Sequence, residues 1–448
     1  MSYSSQAGRR PNEYASKSSH TNIIWDQDIK EFLDKCSLPS GSDEIVLREE
    51  NLIADVNYDL KSPISLFITI DGGYTEVFIR REFPSCVLNF FQFGALIFEL
   101  KDLKTLSNKP FIDPEDIERL KKIERLKFVL PTKNISYKDE SLTNSVRNTF
   151  YEFFTENKEN FIETLKWFLY REYDSKKEIA SYTLSSCPNP KCNNKRIELN
   201  KRDMSENYLF CCDDCGEKIY LTDVFRLHEV IDDEFGAGGI LAYVTNLLEH
   251  ILLIHYIRTI LRIKPSLLKE TLFIKEGPLA FFSVTANMHK PMRDLSNYLL
   301  EKYDLNLVGV EKSGSFVEHA AQIGNKMESG TLLLINNNYI YKYIIPGKAD
   351  PDNPYARTSY YGGKLIFKSR DERLYVVTIP VENESVVLDP KKENFKNLDS
   401  ILQNLEQLKC DMYDNSLFPV ALANKLVSLS AHPSSVILEK FAKSFIKP

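Results

Sequence analysis

Residues 67–79 read FITIDGGYTEVFI, a β-branched and aromatic run that contains Asp71, Gly72 and Gly73. Runs of this composition predict strands. An Asp-Gly pair between two such runs is a common turn signal, so one interpretation is a hairpin that turns at the glycines. The other is that Asp71 is a metal-binding carboxylate on a rigid strand, beside glycines that let a phosphate approach. Carboxylates elsewhere in the chain bear on this choice.

The pattern around this stretch predicts an α/β (α+β) protein with one central sheet. Strands come first in the chain and are then mixed with helices, which is typical of that class. Strand-like runs are PISLFITID, YTEVFIRREF, VLNFFQFGALIFEL, TLFIKEGPLAFF, LNLVGVEK, TLLLIN, KLIFKS and RLYVVTIPV. Helices are expected in WDQDIKEFLDKC, in DPEDIERLKKIERLKFVL from Asp113 and Pro114, from Leu142 to Glu172, around Glu249, in PMRDLSNYLLEKY, and from about Asn397.

Composition places limits on the class of protein. The chain has 448 residues, a length that favours two domains or one large domain with insertions. Its formal net charge is −6, so any DNA contact needs a local basic patch, metal ions or a partner. The most apolar run, GGILAYVTNLLEHILLIHYIRTILRI, contains Glu249, His250, His255 and Arg258, which favours a buried helix over a membrane span.

Five of the eight cysteines lie between residues 187 and 215. Cys187 and Cys192 form a C-x4-C pair, and Cys212 and Cys215 form a C-x2-C pair. Two such pairs supply four thiolates to one tetrahedral zinc, which predicts a structural zinc ribbon. Cys211 could replace Cys212 as a ligand. Cysteine usage of this kind favours a cytoplasmic protein over a secreted disulfide framework.

Two further carboxylates resemble Asp71 in their setting. Glu249 lies on an apolar helix with no cation three or four residues away, so a buried Glu249 needs a tertiary cation, a metal or solvent; exposure at the surface is the alternative. Glu276 ends an apolar strand before Gly-Pro, where a turn is the alternative. Several convergent carboxylates are what two divalent cations require for phosphodiester hydrolysis.

The motifs together resemble the NurA nucleases, whose core is RNase H-like. The resemblance rests on six blocks in a fixed order, from about residue 62 to residue 430: IDGGYTEV, HEVIDDEFGAGGILAYVTNLLEH, FIKEGPL, GVEKSGSFVEHA, YYGGKLIF and FPVALANK. It implies a mixed central sheet flanked by helices. The expected division is a disordered tail at 1–20, a first part of the core at 21–180, an inserted zinc ribbon at 181–222 and a second part of the core at 223–448.

By position, the resemblance implies that Asp71, Glu249, Glu276 and Asn424 hold manganese or magnesium, and that Lys312 contacts phosphate beside them. A solvated strand-end lysine is the alternative for Lys312. The proposed catalytic set is these five residues.

Three positions depart from the family pattern. Glu276 stands where the family has aspartate, and Phe418 stands where a tyrosine often occurs. Asn424 stands where a histidine is usual; it can offer a carbonyl oxygen but cannot titrate near neutrality, and His432 lies eight residues further on. These departures keep open a weakened or inactive nuclease.

The resemblance further implies a homodimer that encloses DNA and works with a hexameric HerA/FtsK-like ATPase. No Walker A spacing occurs in the chain, so ATP hydrolysis would belong to that partner. Arg80, Arg81, Lys364 and Lys368 are candidate contacts to DNA phosphates, or plain surface charge. The expected function is metal-dependent DNA cleavage in end repair or in defence against invading DNA; the alternatives are a non-catalytic scaffold and a nuclease for RNA or structured junctions.

Overall fold

The computed structural model describes residues 19–47, 52–101, 123–410, 416–429 and 433–446. Asp113, Pro114 and His432 lie outside the described residues, as does most of the expected tail. The helices in these ranges are α1 (Ser19–Trp25), α2 (Gln27–Asp34), α3 (Leu142–Glu156), α4 (Phe161–Leu169), α5 (Leu241–Ile263), α6 (His289–Tyr303), α7 (Ser315–Ile323), α8 (Asn337–Tyr343), α9 (Leu398–Gln407), α10 (Phe418–Val427) and α11 (Ser434–Phe445). The strands are β1 (Ile53–Asp55), β2 (Leu66–Arg80), β3 (Cys86–Glu99), β4 (Ile123–Lys133), β5 (Ser181–Leu184), β6 (Ile197–Asn200), β7 (Leu209–Cys211), β8 (Lys218–Tyr220), β9 (Thr271–Glu276), β10 (Asn306–Glu311), β11 (Thr331–Leu334), β12 (Gly362–Lys368) and β13 (Leu374–Pro380).

Nine strands form one mixed sheet in the order β1-β11-β12-β13-β10-β9-β2-β3-β4. Strands β2, β3 and β4 make an antiparallel meander, and β9 and β10 then continue the sheet parallel to β2. The parallel pairs need crossover connections, and α6 supplies the one between β9 and β10. This mixed sheet with flanking helices confirms the predicted fold class.

Strand β2 runs without interruption through the two glycines. Gly72 pairs with Phe93 and Gly73 pairs with Gln92, so both glycines lie within the ladder to β3. The hairpin interpretation is therefore wrong at this point, and the chain turns only after Arg80. The local turn signal was overridden because β3 offers a continuous partner along the whole of β2.

Two predicted helices differ from the structure. The second half of the helix expected from Asp113 is the edge strand β4, in which Phe128 and Leu130 are buried while Arg125 and Lys127 are exposed. The helix expected from Leu142 to Glu172 is two helices, α3 and α4. Asn160, with a left-handed φ of 50°, sits at the N-cap of α4 and ends any continuity between them.

Helix α5 packs against one face of the sheet, and α10 packs against the other. Ile68 and Ile70 of β2 belong to the core on the α5 side, whereas Phe67 belongs to the core on the α10 side. The segment Gly238–Ile263 is long and apolar enough to cross a membrane, but 67% of its most apolar window is buried inside the protein. It therefore serves here as a core helix.

Candidate functional site

The end of β9 brings Asp71 and Glu276 together. In the parallel ladder Ile70 pairs with Lys275, so the next residues, Asp71 and Glu276, are neighbours on one face of the sheet. Strand β9 ends at Glu276 while β2 continues, which leaves β2 without a partner on this side. Lys312, directly after β10, forms an ion pair with Glu276, and its side chain is 53% exposed.

The Asp71 side chain is buried and only partly satisfied. Its residue exposure is 1%, and Oδ1 accepts a hydrogen bond of 2.7 Å from the Gly72 N–H. Among the described residues, Asp71 Oδ2 and Glu276 Oε2 are buried without a hydrogen-bond partner. Desolvation, with the neighbouring Glu276 carboxylate as the next cause, raises the pKa of Asp71 to about 9. Two orphaned carboxylate oxygens side by side are a setting in which a cation is favourable.

Glu249 approaches from the opposite face, and Gly72 makes the approach possible. A Cβ on Gly72 would lie 3.3 Å from Glu249 Oε1 and 3.1 Å from the Cβ of Phe93. Any larger residue at position 72 would therefore press on the Glu249 carboxylate. Glu249 is 6% exposed, so the surface alternative does not hold, and burial raises its pKa.

Lys275 is the tertiary cation that Glu249 requires, and sequence reasoning missed it. Its Nζ lies 2.8 Å from Glu249 Oε2 and donates a 2.7 Å hydrogen bond to the carbonyl oxygen of Glu276. Lys275 is 2% exposed. A signal was available in the sequence TLFIKE, where a lysine interrupts a fully apolar strand and must find a counter-ion.

Helix α10 carries Asn424 onto the Asp71 face of the sheet. Gln92 Nε2 donates to the carbonyl oxygen of Leu426 at 2.8 Å, and a Cβ on Gly73 would lie 3.7 Å from the carbonyl oxygen of Val427. The C-terminal end of α10 is thus fixed over β2 two residues beyond Asp71. Asn424 lies on this helix and is half-buried.

The basic residues that are candidate contacts to DNA differ in their exposure to solvent. Arg80, the last residue of β2, and the following Arg81 are both exposed, and Arg81 pairs with Glu439 at 3.1 Å. Lys364 is 7% exposed and pairs with Glu311 at 2.7 Å, so its ammonium does not face solvent. Lys368 is likewise 7% exposed.

The cysteines form the one group of three or more potential metal ligands with mutual distances within 4.8 Å among the described residues. Its members are Cys187, Cys192, Cys212 and Cys215. Cys187 and Cys192 lie between β5 and β6, and Cys212 and Cys215 lie between β7 and β8, so two short hairpins each present one pair. Four sulfur atoms at these distances fit a tetrahedral zinc. Cys211 is exposed and outside the group, so the structure selects Cys212.

One buried arginine connects this ribbon to the core. Arg147 of α3 donates from Nε and Nη2 to the two carboxylate oxygens of Asp223, at 2.9 and 2.8 Å. Nη2 also donates to the carbonyl oxygen of Lys218 in β8, at 2.6 Å. The second hairpin of the ribbon is therefore fixed to α3 through one guanidinium group.

The chain was compared with solved structures, with curated proteins and with protein-family models. Among solved structures, the NurA nuclease from Sulfolobus solfataricus is 12% identical, covers 95% of this chain and 94% of its own, and has a TM-score of 0.32. A second structure, of NurA, is 12% identical, with coverages of 96% and 97% and a TM-score of 0.30. No curated protein matches the sequence. The family model of the NurA domain matches residues 65–428, and the chain therefore belongs to the NurA domain family.

Proposed function

We propose that this protein is a divalent-cation-dependent nuclease that hydrolyses DNA phosphodiester bonds at the Asp71–Glu276 site. One observation carries the proposal: within the part of the chain that the structure describes, two neighbouring buried carboxylate oxygens, Asp71 Oδ2 in β2 and Glu276 Oε2 at the end of β9, have no hydrogen-bond partner. A cation would satisfy both oxygens and remove the cost of a buried, repelling pair. Family membership supports the same reaction class.

The residues that would hold manganese or magnesium are Asp71, Glu276, Glu249 and Asn424, all of which offer oxygen atoms. When bound there, two such cations would supply neutralisation of the phosphodiester charge and would lower the pKa of the attacking water. Lys312 is the residue free to move, because its half-exposed side chain can leave Glu276 and contact a phosphate. Asn424 would serve as a neutral ligand and not as an acid or base.

The proposed partners are DNA, a second copy of the chain, and a hexameric HerA/FtsK-like ATPase that feeds DNA to the nuclease in the cytoplasm. The net charge of −6 supports this division of labour, since a motor would supply much of the electrostatic attraction to phosphates. End repair and defence against invading DNA would use the same chemistry.

The test is cleavage of linear single- and double-stranded DNA with Mn²⁺, with and without the ATPase and ATP. The wild type should cleave, Asp71→Asn should lose activity by at least about a hundredfold, and Glu76→Gln, an exposed carboxylate on the same strand, should cleave normally. Equal cleavage by wild type and Asp71→Asn would contradict the proposed site. Including RNA and branched substrates tests the alternative substrate classes.

A second candidate function is a non-catalytic scaffold that binds DNA and the ATPase. The observation that favours it is that Glu249 and Glu276 already pair with lysines, Lys275 and Lys312, which lowers the demand for a cation. Absence of cleavage with the ATPase and ATP present, together with retained DNA binding, would support the scaffold.

A further inference from the structure

Lys275 is an enclosed cation at the junction of α5 with the end of β9. Its Nζ has two oxygen partners, Glu249 Oε2 and the carbonyl oxygen of Glu276. The chain turns directly beyond it at Gly277, which has a left-handed φ of 77°, and a Cβ on Gly277 would lie 4.0 Å from Nζ. The ammonium group therefore lies beneath the turn that carries Glu276.

Stability alone does not account for a lysine at this position. The four preceding residues of β9, Thr271 to Ile274, are completely buried, so an apolar side chain at position 275 would continue the core. A buried ion pair commonly adds little to stability compared with apolar residues of the same volume, because both charges are desolvated. We therefore look for the role of the Lys275 charge in the carboxylate site and not in the stability of the core.

Lys275 makes the two carboxylate oxygens of Glu249 unequal, because it pairs with only one of them. Oε2 is held by the ammonium at 2.8 Å, whereas Oε1 points to the gap that Gly72 leaves in β2. Oε1 is thus the oxygen that lies next to Gly72, the residue after Asp71 in β2. The same ammonium donates to the main-chain carbonyl oxygen of Glu276, so one side chain contacts two of the three residues that carry the candidate carboxylates.

We propose that Lys275 is a positioning residue that restricts Glu249 to one free oxygen and weakens cation binding at the Asp71–Glu276 site. This inference rests on the proposed function, because it assumes that a divalent cation binds there. Three carboxylates, Asp71, Glu249 and Glu276, face two lysines, Lys275 and Lys312. Removing the charge of Lys275 leaves a more negative site with an additional free oxygen, and such a site holds a divalent cation more tightly.

The test compares Mn²⁺ binding by calorimetry in the full-length, zinc-loaded wild type and in Lys275→Met. Lys275→Met should bind Mn²⁺ about tenfold more tightly or better, yet cleave DNA at least about tenfold more slowly, because Glu249 loses its orientation. Lys275→Arg should restore both values towards the wild type. A residue that only supports the fold would not increase cation affinity when removed.

Arg147→Met is the matched control for cation affinity. Arg147 is also a buried cation, 6% exposed, and it pairs with Asp223 at 2.8 Å. Its removal should destabilise the protein to a similar degree while leaving Mn²⁺ affinity unchanged.

Lys275→Met could fail to fold because it leaves the Glu249 carboxylate buried without its cation. In that case the double variant Lys275→Met/Glu249→Gln, which lacks this carboxylate, is compared with Glu249→Gln. The double variant should bind Mn²⁺ more tightly than the single variant. Equal or weaker binding on removal of Lys275, with wild-type binding and cleavage intact, overturns only this inference. If neither the wild type nor any Lys275 variant binds Mn²⁺, the proposed function falls together with it.

Discussion

Asp71 shows how a single residue can oppose folding in the absence of a ligand. Its pKa in the folded protein, about 9, lies above its ordinary value of 3.8. The folded state therefore holds the proton more tightly than the unfolded state, and the free energy of unfolding falls as the pH rises from about 4 to about 9. Residues that carry such a cost are common at functional sites.

Asp71→Asn is expected to stabilise the metal-free protein at pH 8 by about 1–3 kcal/mol. With a pKa of about 9, Asp71 in the folded protein takes up a proton at pH 8 that the unfolded chain does not carry, and the amide removes the free-energy cost of that uptake. At pH 5 the gain should be smaller, because the pH is then close to the ordinary pKa of 3.8 and the proton uptake costs less. Thermal unfolding in a chelator at both pH values measures this. In the same assay, Mn²⁺ should raise the melting temperature of the wild type and not that of the variant. A variant less stable than the wild type at pH 8 would contradict the expected cost.

The two adjacent glycines of β2, Gly72 and Gly73, differ in how much space a side chain would have. Gly72→Ala should reduce DNA cleavage by at least about tenfold and cost about 1 kcal/mol, because its Cβ would lie 3.3 Å from Glu249 Oε1 and 3.1 Å from Phe93. Gly73→Ala, whose nearest neighbour would lie 3.7 Å away, should keep its activity and its stability. Paired cleavage rates and melting temperatures test this, and equal losses in both variants would refute the steric argument.

At the scale of elements, the four-cysteine cluster follows directly from sequence spacing, whereas its anchorage to α3 does not. The C-x4-C and C-x2-C pairs are local patterns, and each is presented by its own hairpin. The choice between Cys211 and Cys212 depends on which side of β7 faces the other pair, which requires three-dimensional information. The bidentate contact of Arg147 with Asp223 spans 76 positions and leaves no local signal.

Cys212→Ser is expected to release zinc and to lower stability by several kcal/mol, whereas Cys211→Ser should retain the metal. Of these two residues, Cys212 belongs to the four-cysteine group and Cys211 does not. Metal binding by such a group contributes to the free energy of folding. Zinc content by mass spectrometry and the melting temperature are the measurements. Zinc loss from Cys211→Ser would show that the ligand set differs.

Arg147→Met should cost about 3–5 kcal/mol, because it leaves the Asp223 carboxylate buried without its partner. The control is Lys138→Met, which breaks an ion pair with Glu152 but removes a side chain that is 59% exposed, and should change stability by less than about 1 kcal/mol. Urea unfolding of both variants decides the matter. A loss confined to the ribbon would appear as an early, separate transition.

At the scale of the whole molecule, the sequence predicted the fold class and the four-cysteine cluster, because both rest on local periodicity or spacing. The catalytic role of the carboxylates stays a prediction. The continuity of β2 was missed, since the ladder partners of Gly72 and Gly73 lie about twenty residues away in β3. Strand β4 was mistaken for a helix because IERLKFVL fits both periods until its edge position in the sheet is known. The role of Lys275 is not evident from the sequence, because it depends on an ion pair with Glu249, a residue of α5 that is distant in the chain.

The neighbouring strands β2 and β9 are separated in the chain by two further strands of the meander, the ribbon and α5. During synthesis, β2 to β4 can pair as soon as they emerge, since each contacts the next. At that stage the nascent chain carries Asp71 but neither Glu249 nor Glu276, and it therefore lacks the oxygens that would hold a cation. The proposed cation site is therefore complete only after the second half of the core has been made and β9 has inserted beside β2.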